Sequence, residues 1–185
     1  MTRKMRFGLG TGFLLATVAA TIAAMIQMHH TGILKAAPPF GQPEDIAYAS
    51  KLWQALERND LVGDHAIFAM PYTAAVHKKV LIMLGSRIEV DGHTGTVLVK
   101  KMYQGEDISV EKVANNPQRN LAIVAVMFQR QAGYDRDHDD WFYVRFDGEG
   151  KPTAPMGVPF AGRVPKCITC HQAAPGNDFI YSYTR

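Results

Sequence analysis

Residues Gly95–Tyr103 read GTVLVKKMY, and they follow the dipeptide Asp91-Gly92. β-Branched side chains favour strands, and Asp-Gly ahead of such a run is a hairpin-turn signal. Alternation along a strand sets Thr96, Leu98, Lys100 and Met102 on one face and Val97, Val99, Lys101 and Tyr103 on the other. Each face then carries one lysine among apolar neighbours. Two lysines snorkelling from a strand end would account for the pattern without any chemistry.

Working outward, the strand signal repeats. Leu121–Gln129 is almost continuously apolar, as expected of a strand covered on both faces. Trp141–Phe146 (WFYVRF) is aromatic and β-branched and ends at Asp147-Gly148. Ala66–Met70 and Val80–Leu84 are shorter apolar runs; the first reads toward a strand, while the type of the second is left open. Ahead of them, Pro43-Glu44-Asp45 suits a first helical turn, and Ile46, Ala49, Trp53 and Leu56 recur at helical spacing until about Asn59. The expected class is α+β: a mainly antiparallel sheet of four or five strands with an N-terminal helix packed on it. The acidic stretch Tyr134–Asp140 (YDRDHDD) is read as a solvated hairpin loop in preference to a cation site.

The chain has 185 residues, enough for one well-packed domain. Apolar residues make up 47% and charged residues 20%, which excludes wholesale disorder. A net charge of +3 with no basic stripe argues against a nucleic-acid partner. The N-terminus is more informative. Arg3, Lys4 and Arg6 precede Phe7–Ile26, which contains no charged residue. That is the layout of a secretory signal or an N-terminal membrane anchor. We expect residues 1–28 to be one or the other, 29–42 to be a tether, and 43–185 to be the functional domain. A periplasmic location follows, with any membrane contact confined to the N-terminal segment.

The two cysteines stand in Cys167-Ile168-Thr169-Cys170-His171 (CITCH). C-x-x-C-H is the attachment signal for c-type haem: each thiol adds to a vinyl group and the adjacent imidazole becomes the proximal ligand. Zinc would need ligands beyond one cysteine pair, and a redox dithiol belongs near an early βαβ unit. A disulfide across so small a loop is the remaining alternative. Export and position favour one covalently bound haem c on Cys167 and Cys170, with His171 on the iron. No methionine follows His171, so we expect a five-coordinate iron with an open distal face.

Several stretches resemble the cytochrome P-460 family and its relatives, the β-sheet cytochromes c′ (cytochrome c′-β). They are AYASKLWQAL at 47–56, GHTGTVLVKKMY at 92–103, VMFQRQAGYD at 126–135, DWFYVRF at 140–146, AGR at 161–163, CITCH, and APGNDFIY at 174–181. The ordered set, with its G-x-x-x-V-K pattern at Gly95–Lys100, carries the resemblance. It implies a β-sheet haem protein, a homodimer, and His171 as proximal ligand. In the P-460 branch it implies a lysine bonded to the porphyrin edge, here Lys100, and oxidation of hydroxylamine, for which a redox partner cytochrome is expected. Lys101 is then expected at the surface. In the c′-β branch it implies an apolar, often Phe-lined pocket that binds nitric oxide or carbon monoxide without turnover. Simple electron transfer requires an upstream Met or His to close the sixth position. Phe128, Phe160, Ala161 and Arg163 are the distal-pocket candidates. One departure stands out: Lys151–Lys166 contains no acid, and Gln131 occupies a position where the family often has one.

Overall fold

A computed structural model describes residues 39–74 and 79–181. The chain divides into two units, Met1–Ala37 and Pro38–Arg185. The expected leader or anchor, and most of the tether, lie outside the described residues. Among the described residues no helix is long and apolar enough to cross a membrane.

Helix α1 spans Pro43–Arg58. Proline opens it without losing a helical hydrogen bond, and Glu44 and Asp45 place negative charge on its N-terminal dipole. The Asp45 carboxylate accepts from the Gln42 backbone N–H at 3.2 Å. The buried face is Tyr48, Ala49, Leu52, Ala55 and Leu56. It is rotated from the expected stripe: Ile46 is exposed, and Trp53 lies partly buried across the Phe146 ring, 4.9 Å between centroids.

The helix covers a six-stranded meander in which every strand pairs antiparallel with its neighbour in the chain. The strands are β1 (Tyr72–Ala74), β2 (Lys79–Val90), β3 (His93–Tyr103), β4 (Leu121–Gln129), β5 (Trp141–Phe146) and β6 (Ala161–Gly162). β2 and β3 form the long hairpin anticipated at Asp91-Gly92. Both turn residues have positive φ, 54° and 80°, which is why Asp-Gly suits the position. The Lys51 ammonium pairs with the Asp91 carboxylate at 2.9 Å and ties this turn to α1. Gly95 marks a close approach between β3 and β4. A methyl group there would overlap the Gln129 carbonyl and the Phe128 ring.

Ala66–Met70 is not a strand. It is irregular and unpaired, with Ile67, Phe68 and Met70 exposed, and pairing begins only beyond Pro71. Residues 39–42, read from sequence as the end of the tether, belong to the fold. Phe40 is buried and bridges to Gly162, and the Gly41 N–H donates to the Ala161 carbonyl at 2.7 Å.

Register divides the sheet into two faces. Under α1, Val97 on β3 lies beside Phe128 on β4, and Phe128 beside Phe142 on β5. These residues, with Val99, Val126, Val144 and Phe146, form the main core. The opposite face carries Leu98 beside Met127 beside Tyr143, and then Met83 beside Lys100 beside Ala125 beside Arg145. Against it packs helix α3, Pro165–His171, while α2 (Val110–Asn115) closes the far end of the core through Val113. β4 is therefore covered on both faces, as its unbroken apolar run anticipated.

Candidate haem site

CITCH is the body of α3, started by Pro165 at its first turn. Helical spacing of three and four residues puts Cys167, Cys170 and His171 on neighbouring positions of one face. Ile168 turns the other way, into an apolar cluster with Tyr143, Phe160 and Val164. Both thiols are free, Cys167 half-buried and Cys170 exposed. Burial pushes the Cys167 thiol up to about 11, and the nearby Cys170 adds to that. The cations Lys100, Lys166 and Arg145 oppose it.

His171 Nδ1 lies 2.6 Å from the Phe179 carbonyl oxygen. A carbonyl only accepts, so Nδ1 carries the proton and the Nε2 lone pair is left for a ligand. Burial depresses the imidazole's pKa, which keeps it neutral; the hydrogen bond to Phe179 opposes that shift. A metal-binding histidine is usually held in this way, its second nitrogen bonded to a carbonyl. The ring is flanked by Tyr143 and Tyr181, with centroids 5.5 and 5.6 Å away. Tyr181 also donates to the Cys170 carbonyl at 2.9 Å, which fastens the helix end.

These groups open on a cavity of about 490 Å³, within the roughly 300–1,000 Å³ usual for ligand pockets. Its apolar lining includes Met83, Leu98, Met102, Ile123, Met127 and Phe160. Among the described residues four cations border it (Lys79, Lys100, Arg145 and Lys166), and no carboxylate does. Burial holds the Lys100 ammonium below its ordinary pKa, partly offset by the two cysteine sulfurs. Among the described residues no group of three or more His, Cys, Asp or Glu side chains could hold a bare metal ion. The donor set instead fits a flat apolar group with acidic substituents: two free thiols, one pre-oriented imidazole, apolar walls and unopposed cations.

Of the residues singled out from sequence, Cys167, Cys170, His171, Lys100 and Phe160 line this one cavity. Three others do not. Phe128 is fully buried on the α1 face, because its position in β4 alternates with Met127. Ala161 is sealed in the same core. Arg163 is exposed and points toward Tyr134, 6.0 Å from the ring, and toward Asp45 at the start of α1. Gln131 is exposed in the loop after β4. Lys101, expected at the surface, is only 6% exposed. Its strand position points it into the α1 face between Ile82 and Val124. Burial lowers its pKa too, and it has no hydrogen bond or ion pair among the described residues.

The site also contains residues that the sequence reading passed over: Met83, Met102, Met127, Tyr143, Arg145, Lys79 and Lys166. The alternation Trp141-Tyr143-Arg145 against Phe142-Val144-Phe146 was visible in WFYVRF. Which set faced a cavity was not. The acidic loop at 134–140 is occupied with its own turn: the Asp140 carboxylate accepts from the Gly133 and Asp135 N–H groups, and Asp135 contacts His138 at 2.9 Å.

Searches of curated proteins and of solved structures found no match. The family model for Cytochrome P460 matches residues 47–182, which takes in most of α1, the whole sheet and α3. That match implies a haem cofactor, in agreement with the donor set of the cavity. The chain belongs to the cytochrome P460 family.

Proposed function

We propose that this protein is an exported cytochrome with one haem c, attached at Cys167 and Cys170 and ligated by His171. In this reading it is an oxidoreductase acting on a small nitrogen compound such as hydroxylamine. The observation that carries the reading is the meeting of Lys100, both thiols and a neutral imidazole with a free Nε2 around one cavity. The haem would supply one-electron steps at an iron open on its distal side. The Phe179 carbonyl orients His171 and fixes its tautomer. The sheet face carries Lys100 into the cavity, where burial favours the neutral, nucleophilic amine needed for a bond to the porphyrin edge. Leu98, Ile123 and Met127 give the cavity wall around it an apolar lining. The basic N-terminus and the uncharged run behind it support a periplasmic location. A redox partner cytochrome and a homodimer complete the proposal.

A second reading, a nitric oxide or carbon monoxide trap without turnover, is favoured by one observation. Among the described residues no carboxylate lines the cavity, and hydroxylamine oxidation calls for a base whereas gas binding does not. Proteolysis with mass spectrometry separates the two readings. A peptide containing Lys100 joined to the haem peptide, together with hydroxylamine turnover, is the outcome expected for the first. An unmodified Lys100 with an ordinary ferrous Soret band and no turnover selects the gas trap.

A further inference from the structure

Arg145 stands on β5 in the cross-strand row Met83, Lys100, Ala125, Arg145, so it shares the cavity face with Lys100. The small Ala125 separates the two cations. The Arg145 backbone is fully engaged: its N–H donates to the Phe160 carbonyl at 3.0 Å and its carbonyl accepts from the Thr153 N–H at 2.8 Å. Its side chain is not. The guanidinium makes no hydrogen bond or ion pair among the described residues, and its Nε is buried without a partner. Two residues earlier on the same face, Tyr143 is 2% exposed, and its hydroxyl is also buried and unpartnered.

A half-buried guanidinium without a counter-ion is costly, and a buried donor left unmet costs about 1–3 kcal/mol. A folded chain tolerates such groups where a ligand supplies the acceptor. The acceptor must be anionic and planar to use the guanidinium fork, which is the geometry of a carboxylate. Among the described residues no Asp or Glu borders the cavity. The small molecules of the proposed function do not supply the anion either, because hydroxylamine near neutral pH, nitric oxide and carbon monoxide are all uncharged. Haem brings two carboxylates of its own.

We propose that Arg145 binds a propionate carboxylate of the haem. This inference rests on the haem c reading. It assigns Arg145 a positioning role: it turns the macrocycle about its thioether edge and neutralises one of its charges.

The test uses the full-length protein with its haem, comparing wild type, Arg145→Gln and Arg145→Lys. Because the thioethers hold the macrocycle, the variants should keep their haem, and covalent attachment is checked first by haem staining of the denatured chain. In Arg145→Gln the propionate bending band of the resonance Raman spectrum should shift. The midpoint potential should fall as well, because a cation that disfavoured the ferric state is gone. Arg145→Lys should recover most of the potential. Nitrite affinity of the ferric protein should be the same in all three. An unmoved propionate band in haem-loaded Arg145→Gln overturns the assignment. So does a loss of nitrite affinity with the band unmoved, which would give Arg145 to an external anion. A wild-type protein that stains for no haem instead sinks the haem c reading on which the proposal stands.

Discussion

Lys100 and Lys101 are chain neighbours that the pleat sends to opposite sides of one sheet. Lys100 meets the thiols and His171, whereas Lys101, only 6% exposed, lies on the apolar α1 side. The sequence showed that the two lysines part company, but not which side was covered, since each has apolar neighbours. For Lys100→Leu we expect retention of haem through the cysteines and loss of any Lys100-linked haem peptide, read by mass spectrometry. For Lys101→Met we expect a gain of about 1–3 kcal/mol at neutral pH, because an unpaired polar group leaves the core. The sign of its pH dependence follows from the lowered folded pKa. Between that value and the unfolded value near 10.4, the unfolded chain binds the extra proton, so wild-type stability rises with pH. The advantage of Lys101→Met should therefore be largest below the folded pKa and shrink toward pH 10.4, as thermal melts at both ends would show.

At the scale of elements, α1 covers one face of the sheet and β3 pairs along both of its edges, with β2 and with β4. Leu52 is fully buried at the centre of the α1 face, against the strands whose other side forms the cavity. Leu52→Ala should cost about 2–5 kcal/mol in denaturant unfolding, with the haem still covalently attached. Helix α1 was legible from Pro43-Glu44-Asp45 and the apolar spacing, although Tyr48 and Leu52, not Ile46, lie in its buried stripe. β4 and β5 begin and end where their composition said they would. Of β2 only the apolar run Val80–Leu84 was visible, its type undecided, because Gly85-Ser86-Arg87 breaks the pattern; pairing with β3 makes it a strand and carries it on to Val90. Ala66–Met70 misled in the other direction, since apolar composition without a pairing partner does not make a strand.

Over the whole molecule, the cavity brings together residues about a hundred positions apart, from Lys79 to His171 and Tyr181. Three methionines are among them, Met83, Met102 and Met127, although none follows His171 in the chain. The ferric protein should nonetheless be high-spin, and Met83→Leu, Met102→Leu and Met127→Leu should leave its absorption spectrum unchanged. A low-spin ferric spectrum turned high-spin by one of these changes would identify a thioether sixth ligand and make electron transfer the function. The sequence by itself determined the class of fold and set two thiols and an imidazole side by side. CITCH is local, with thiols and imidazole set by one helical turn, and strand and helix periods are likewise local properties. Only the tertiary structure decided what surrounds the haem. Which face of each strand meets a cavity depends on register across four strands and on which helix covers which side, and neither is written in the period of any single strand. That is why Phe128 passed from the distal pocket to the core and Arg145 came into view.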